Sequence, residues 1–249
     1  MKVIVIIPAA GLGTRMGSAS ATVQGKRRSK QFVELNGSPI LVHTLRKFDR
    51  CDRVDEIWVA MRRAEIEAFT PELERAGLRK TIHTVEGGEH RQQSVANALR
   101  AVEAAEDDVI LVHDAVRPFI DSETIAGIIG GVEKYGAAIA GVPAIDTIKQ
   151  VERTADGALI RTTIPREQIV QAQTPQGARY GLLRQAFDEA ELDGFLGTDE
   201  ASLLERSGQP IHVVMGSPRN IKITTPADLE LAEFFLSQER RKDAPPNSD

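Results

Sequence analysis

Apolar positions along the chain switch repeatedly between two periods. Short continuous runs rich in Val and Ile, at residues 3–7, 56–60, 81–85, 109–113, 137–142 and 211–215, predict strands. β-Branched side chains without polar interruption suit a strand covered on both faces. Between these runs, apolar residues at helical spacing predict helices over about 39–48, 63–76, 91–105, 122–135, 180–190, 198–206 and 226–238. The alternation predicts an α/β fold, a mainly parallel sheet covered by helices. End signals agree: Thr225-Pro226-Ala227-Asp228 sets a hydroxyl at an N-cap, proline at the first helical position and a carboxylate in the first turn. Gly136 and Gly208 stand where C-caps belong.

One segment breaks the rhythm. From about 144 to 163 two alternating stretches flank Asp156-Gly157, which predicts a hairpin. A hairpin alone is marginal. It either extends the domain's own sheet or forms an arm, about 144–170, that packs on a second subunit. No repeat or linker divides residues 1–249, so the chain reads as a single domain. The polar, proline-bearing end, residues 239–249, predicts a frayed tail.

Composition narrows the function. The 249 residues carry 31 basic and 36 acidic side chains, a formal net charge of −5, and only 4% aromatics. There is no global basic field for DNA or RNA and little base-stacking surface. Any polyanion must be met by local positive charge. The single cysteine, Cys51, cannot form an intrachain bridge, and no Cys/His spacing suits zinc, so a reducing, cytoplasmic setting is expected. The run after Lys2 imitates a signal peptide but falls far short of the ~20 apolar residues of a membrane span, and no membrane association is expected.

The strongest chemical signal is Pro8-Ala9-Ala10-Gly11-Leu12-Gly13-Thr14-Arg15-Met16-Gly17, directly after the first strand. Small residues there let backbone N–H groups approach an anion at the carboxyl end of a parallel sheet. The loop is neither a Walker A sequence nor a dinucleotide fingerprint. Arg15 suits a phosphate that gains charge during reaction; the plainer alternative is a structural turn with a solvated arginine. The basic run Lys26-Arg27-Arg28-Ser29-Lys30-Gln31 follows. Lys26, Arg27 and Arg28 read as surface residues, whereas Lys30, with Arg15, could close the segment over a triphosphate. Gly87-Gly88-Glu89-His90-Arg91-Gln92-Gln93-Ser94 opens a helix whose first turn aims Ser94 at the same sheet edge, with His90 structural. Asp114, in Val112-His113-Asp114-Ala115-Val116-Arg117-Pro118, could ligate magnesium or anchor a ribose, with Arg117 orienting it bidentately. An Asp–Arg pair that only stiffens the turn is the alternative. Asp146-Thr147, Arg166 and Asn220-Ile221-Lys222 add polar groups beside strand ends.

Together these segments, with Asp146-Thr147-Ile148-Lys149, Gln173-Thr174-Pro175-Gln176, Thr198-Asp199-Glu200-Ala201-Ser202 and Asn220-Ile221-Lys222-Ile223-Thr224, resemble the 2-C-methyl-D-erythritol 4-phosphate cytidylyltransferases of the non-mevalonate isoprenoid pathway. They occur in family order over nearly the whole chain. The resemblance implies a Rossmann-like nucleotidyltransferase fold with a protruding β-arm, a homodimer through the arms, CTP and the sugar-alcohol phosphate as substrates, and a divalent cation such as magnesium. By the same resemblance Arg15 and Lys30 stabilise the pentavalent α-phosphate and departing pyrophosphate. Arg166 and Lys222, with Asp146 and Thr147, position the sugar-alcohol phosphate, Arg166 serving the neighbouring subunit's site. Ala9, Ala10, Gly11, Gly13, Gly87, Ser94, Asp114, Ala115 and Arg117 receive the nucleotide. A ribitol 5-phosphate cytidylyltransferase and a nucleotide-binding module without turnover are the rival readings. One departure stands out: the connection at 17–28 is longer than the family pattern, and Ser29 stands where the pattern has proline before Lys-Gln. A longer loop costs little closure entropy, about 0.6 kcal/mol per doubling, yet it could loosen Lys30.

Overall fold

A computed structural model of the chain describes residues 1–11, 22–23, 26–27 and 29–243. In chain order the principal elements are β1 (Val3–Pro8), α1 (Ile40–Asp49), β2 (Glu56–Met61), α2 (Arg63–Ala76), β3 (Ile82–Glu86), α3 (Arg91–Ala101), β4 (Val109–Val112), α4 (Ser122–Tyr135), β5 (Ala137–Pro143), β6 (Ile148–Thr154), β7 (Gly157–Ile164), β8 (Val170–Arg179), α5 (Tyr180–Leu192), α6 (Glu200–Arg206), β9 (His212–Met215) and α7 (Pro226–Asp243). The main sheet has seven strands in the order β9-β5-β8-β4-β1-β2-β3. Its pairs are parallel except those of β8, which runs antiparallel to both β4 and β5.

The β1 run shows why the sheet is covered twice. Val3, Val5 and Ile7 face a core with α1, α2 and α4, through Leu45, Phe48, Phe69 and Ile128. Ile4 and Ile6 face the opposite core with α3, α5 and α6, through Val95, Leu99, Phe187 and Leu203. Side chains alternate across a strand, so continuous apolar sequence is what two covered faces require. A smaller cluster joins Val33, Leu35, Ile40, Val116, Phe119 and Ile223 to Ala232 of α7.

β1 leaves through α1 to β2 on one side, while the chain returns through α3 to β4 on its other side. Strand order therefore reverses beside β1, the point at which open α/β sheets form a crevice beyond their carboxyl ends. The residues that follow β1 and β4 meet there.

The mixed α/β architecture agrees with the sequence, with element ends shifted by a few residues. Gly136 closes α4 at φ +87° and Gly208 follows α6 at φ +74°. Thr225 and Asp228 cap α7 reciprocally: Asp228 N–H donates to the Thr225 hydroxyl (3.3 Å), and the Asp228 carboxylate accepts from Thr225 N–H (2.8 Å). The α6 helix starts at Glu200 rather than 198, where Asp199 and Ser202 form a capping box. Of the two readings of the hairpin, the separate arm is the one observed: β6 and β7 pair with one another in a sheet of their own and do not extend the main sheet. Two expectations need correction. First, β8 is a strand that sequence periodicity did not predict. Second, the expected tail is helical through Asp243, because α7 packs on the third cluster and Glu239 takes the Lys47 ammonium at 3.0 and 3.1 Å; residues 244–249 lie outside the described residues. No described helix is long and apolar enough to cross a membrane.

β8 passes closely beneath α4. A Cβ on Gly177 would sit 2.7 Å from Leu111 Cδ2, 3.0 Å from Val132 Cγ2 and 3.1 Å from Ile128 Cγ2. Overpacking of this kind costs about 1–3 kcal/mol. Gly177→Ala is therefore expected to lower stability by that amount in urea unfolding; an unchanged midpoint would show that the α4–β8 layer yields freely.

Candidate active site

The cleft beyond β1 and β4 is lined by Pro8, Ala9, Ala10, Gly11, Lys30, Gln31, Gly88, Glu89, His90, Arg91, Ser94, Asp114, Ala115, Val116 and Lys222. Backbone bonding fixes its walls. Ala9 N–H donates to the Ala60 carbonyl (2.7 Å) and Gly87 N–H to the Met61 carbonyl (2.8 Å), so the loops after β1 and β3 are held across the end of β2. The buried amide of Gln31 donates to the Ala9 carbonyl, tying the Lys30 segment to the first loop. Gly87 stands behind the lining: a Cβ there would fall 2.6 Å from Ala10 Cβ and 3.0 Å from Ser94 Oγ. Its bare backbone lets the first loop and the start of α3 meet. Ser94 Oγ accepts from Gly88 N–H (3.0 Å) and donates to the His90 carbonyl (3.1 Å), which shapes the turn into α3.

Asp114 is the electrostatic centre. Its buried carboxylate receives Arg91 Nε at 3.2 Å on Oδ1, and Arg117 Nε at 3.3 Å and Lys222 Nζ at 2.9 Å on Oδ2. Burial opposes its charge, but Arg91, Lys222 and Arg117 outweigh burial and hold the carboxyl well below the usual carboxylate range. Arg91 in turn forks onto buried Glu200, Nη1 to Oε1 at 2.6 Å and Nη2 to Oε2 at 2.9 Å. Burial opposes this guanidinium as well, and Glu200 and Asp114 together more than offset it.

Beneath the carboxylate lies a neutral network. Asp114 N–H donates to Thr174 Oγ1 (3.1 Å), and that hydroxyl lies 3.0 Å from His113 Nδ1. His113 Nε2 lies 3.0 Å from the Arg117 carbonyl, a contact in which a protonated ring nitrogen donates. The imidazole is fully buried, and burial lowers it to about 4. Asn220, also fully buried, donates to the Thr174 carbonyl (2.8 Å) and receives Arg117 Nη1 on its own carbonyl (2.6 Å). It thereby seats the turn that delivers Lys222.

The structure brings together Ala9, Ala10, Gly11, Ser94, Asp114, Ala115, Lys30 and Lys222, with Gly87 as their spacer. Arg15 and Gly13 lie outside the described residues. Arg117 does not line the cleft, and in place of the expected bidentate grip its Nε meets Asp114 while its Nη1 is taken by the Asn220 carbonyl. Asp146, Thr147 and Arg166 are exposed and do not line it either. They belong to the arm segment, where Arg166 donates to the Ile145 carbonyl (2.8 Å). Sequence reasoning missed Arg91, Glu200, Gln31 and His113 as site-forming groups, although each sat inside a quoted motif. His90, read as structural, lines the cleft at the start of α3.

An α/β sheet with a cation-lined crevice at its reversal point, built from strand-end loops, has the form in which open α/β sheets bind nucleotides and other anionic ligands. Comparison with known proteins sharpens this. The family model for IspD, 2-C-methyl-D-erythritol 4-phosphate cytidylyltransferase, matches residues 3–238. The chain is 58% identical over 238 residues to the 2-C-methyl-D-erythritol 4-phosphate cytidylyltransferase of Acidobacterium capsulatum, covering 96% of this chain and 98% of that protein. It is 50% identical to that of Solibacter usitatus, covering 96% and 97%. Among solved structures, that of the Francisella tularensis 2-C-methyl-D-erythritol 4-phosphate cytidylyltransferase superposes with a TM-score of 0.78 at 37% identity, covering 94% of this chain and 99% of that one. The 4-diphosphocytidyl-2C-methyl-D-erythritol synthase of Anaerococcus prevotii gives a TM-score of 0.79 at 28% identity, covering 95% and 96%. The chain belongs to the 2-C-methyl-D-erythritol 4-phosphate cytidylyltransferase family.

The neutral His113 carries a pH signature. Because its folded value lies near 4 against 6.5 for the ordinary imidazole, the unfolded chain binds the extra proton between these limits. Its contribution, about 3 kcal/mol, is complete above pH 6.5 and is lost as pH falls towards 4. His113→Gln should flatten the decline in urea-unfolding free energy between pH 6.5 and 4.5; the wild-type slope in the variant would contradict the neutral, buried assignment.

Proposed function

We propose that the chain transfers the cytidylyl group of CTP to 2-C-methyl-D-erythritol 4-phosphate, giving 4-diphosphocytidyl-2-C-methyl-D-erythritol and pyrophosphate in the non-mevalonate isoprenoid pathway. The observation that carries this reading is the cleft itself: small-residue backbone on one wall, Ser94 and Gly88 opposite, and Lys30 and Lys222 lining it with the Asp114 cluster between the walls. In the reaction a phosphate oxygen of the sugar alcohol attacks the α-phosphorus of CTP in line. The new P–O bond forms as the bond to the β-phosphate oxygen breaks, and the electron pair leaves on pyrophosphate. Such a transfer needs positioning and charge stabilisation rather than covalent chemistry.

Roles follow from position. Lys30, with Arg15 of the first loop, neutralises charge on the α-phosphate and the leaving pyrophosphate. Ala9, Ala10, Gly11 and Gly13 offer backbone to the nucleotide, and the Gly87–Ser94 turn and Asp114 with Ala115 bound its base and ribose. Arg117 serves through Asp114 rather than by contact. Lys222 holds the attacking phosphate. Arg166, Asp146 and Thr147, which do not line their own cleft, act through an arm that reaches the site of a second copy in a homodimer. The setting that goes with this chemistry is cytoplasmic.

A divalent cation such as magnesium belongs to the same reading, but the described residues do not form a cage for it. No group of three or more His, Cys, Asp or Glu among them could hold a metal, and both Asp114 oxygens are already engaged by cations. Magnesium is commonly held by substrate phosphates with one or two carboxylates. The ion therefore enters this proposal as a companion of the triphosphate, and no step is assigned to it.

Incubation with CTP, magnesium and 2-C-methyl-D-erythritol 4-phosphate should yield the CDP-alcohol and pyrophosphate by chromatography, whereas ribitol 5-phosphate should yield little. CDP-ribitol as the main product would transfer the assignment to the other alcohol. Arg15→Ala is expected to cut turnover by at least about 100-fold, the scale for loss of one preorganised charge; near-normal turnover would remove Arg15 from the mechanism.

A further inference from the structure

Immediately before Lys30, the hydroxyl of buried Ser29 is held twice. It donates to Glu65 Oε1 at 2.7 Å and accepts from Arg62 Nη2 at 2.5 Å, and Arg62 also pairs directly with Glu65. Arg62 is the N-cap residue just before α2, and Glu65 lies in the first turn of that helix. Main-chain bonds add to the hold: the Ser29 carbonyl accepts from Phe32 N–H (2.9 Å), and the Phe32 ring packs on Phe69 of α2 with centroids 5.0 Å apart. On the far side of Lys30, Gln31 is bonded to the Ala9 carbonyl. Lys30 thus has one backbone neighbour fastened to α2 and the other to the first loop of the cleft.

We propose that Arg62, Ser29 and Glu65 form a clasp that positions Lys30 in the cleft. The proposal rests on the role given to Lys30 above. The groups in the clasp suit a specific fastening better than general packing. Among the described residues Arg62 Nε and Glu65 Oε2 are buried without hydrogen-bond partners. The pair as a whole is only part-buried, but these two atoms are not met by any partner, and the Ser29 hydroxyl supplies one bond to each residue. Ser29 also holds φ −65° and ψ 151°, the backbone angles of an extended proline. The hydroxyl clasp therefore fixes by side-chain bonding a conformation that a proline ring imposes covalently. In sequence it stands between the long 17–28 connection and the cation it precedes.

The test is a mutant cycle on the full-length enzyme, with CTP turnover and thermal unfolding measured for every variant. Ser29→Ala should lower kcat on the order of 10- to 100-fold, the scale of a small misplacement of a catalytic group, with a much smaller change in KM for CTP. Glu65→Gln should move kcat in the same direction. In a Lys30→Ala background Ser29→Ala should cost nothing further, an outcome that a merely structural role would not produce. Ser29→Pro should recover most of the activity lost in Ser29→Ala by restoring φ without the hydroxyl. Wild-type kcat in Ser29→Ala, an equal loss with and without Lys30, or no recovery with proline would each overturn the clasp. Should Ser29→Ala melt below the assay temperature, the Ser29→Pro and Glu65→Gln variants decide by the same criteria. If Lys30→Ala itself leaves turnover unchanged, the role of Lys30 fails, and the clasp with it. If Lys30→Ala abolishes turnover while Ser29→Ala does not, only the clasp fails.

Discussion

The carboxylate of Asp114 is the constraint around which the cleft is arranged. A charge so placed is tolerated only when it is paired and hydrogen-bonded. Its partners come from well-separated parts of the sequence: Arg91 from the start of α3, Arg117 from the turn after β4, and Lys222 from the turn seated by Asn220. Each cation is a fastening, because removing the carboxylate would leave three positive groups facing one another. Glu200 extends the arrangement to α6 by taking the other end of the Arg91 guanidinium. The loops after β4 and β9 are thereby coupled to α3 through Asp114 and on to α6 through Arg91. Precision at this point costs little reorganisation when an anion enters, which is how charge stabilisation becomes effective in a partly desolvated site.

The cluster also accounts for the neutral layer beneath it. Arg91, Arg117 and Lys222 outnumber Asp114 and Glu200 by one cation, so the site is positive in a chain that is acidic overall. A protonated His113 directly below would add a further buried charge next to Arg117 and Arg91. Burial instead keeps it neutral, and its ring nitrogens are spent on Thr174 and the Arg117 carbonyl. The residues that hold Asp114 from below are hydroxyl, amide and neutral imidazole groups. Positive charge is thereby reserved for the surface that a phosphate would meet.

What was legible in the sequence follows this division between local and distant forces. The β1 and β4 strands were readable because their β-branched runs reflect burial on both faces, a property written residue by residue. The strand-end loops were readable because close backbone approach demands small residues, as Gly87 shows against Ala10. β8 was not: Gln173-Thr174-Pro175-Gln176-Gly177 has the composition of a turn, and only pairing with β4 and β5 makes a strand of it. The register breaks between Ala172 and Gln176, where proline interrupts the ladder. The Arg91–Glu200 fork joins residues 109 positions apart, and no periodicity reports such a contact. The Arg117–Asp114 pair was legible from its short spacing, but not that Arg117 Nη1 would go to the carbonyl of Asn220, 103 positions on, instead of completing a two-bond grip. The final helix outran its expected end because polar composition alone says nothing of a carboxylate, Glu239, that lands on Lys47.

The arm brings the same reasoning to what a single chain leaves incomplete. A two-stranded sheet is marginal on its own. Here the strands expose Val151, Leu159 and Ile160, at 43%, 63% and 65%, and Arg166, just beyond them, is not among the residues that line the cleft its proposed role requires. Exposed apolar side chains on a two-stranded sheet of its own and an Arg166 that does not line the described cleft are separate deficits under the proposed function. In the proposed homodimer one event removes both: the apolar arm is covered, and Arg166 is delivered to a second cleft. Lys222 needs no such delivery, because Asp114 fixes it within its own chain. The two cations assigned to one substrate phosphate would then differ in what holds them, one by a buried ion cluster and the other by an interface. Turnover would depend on chain concentration only through the second.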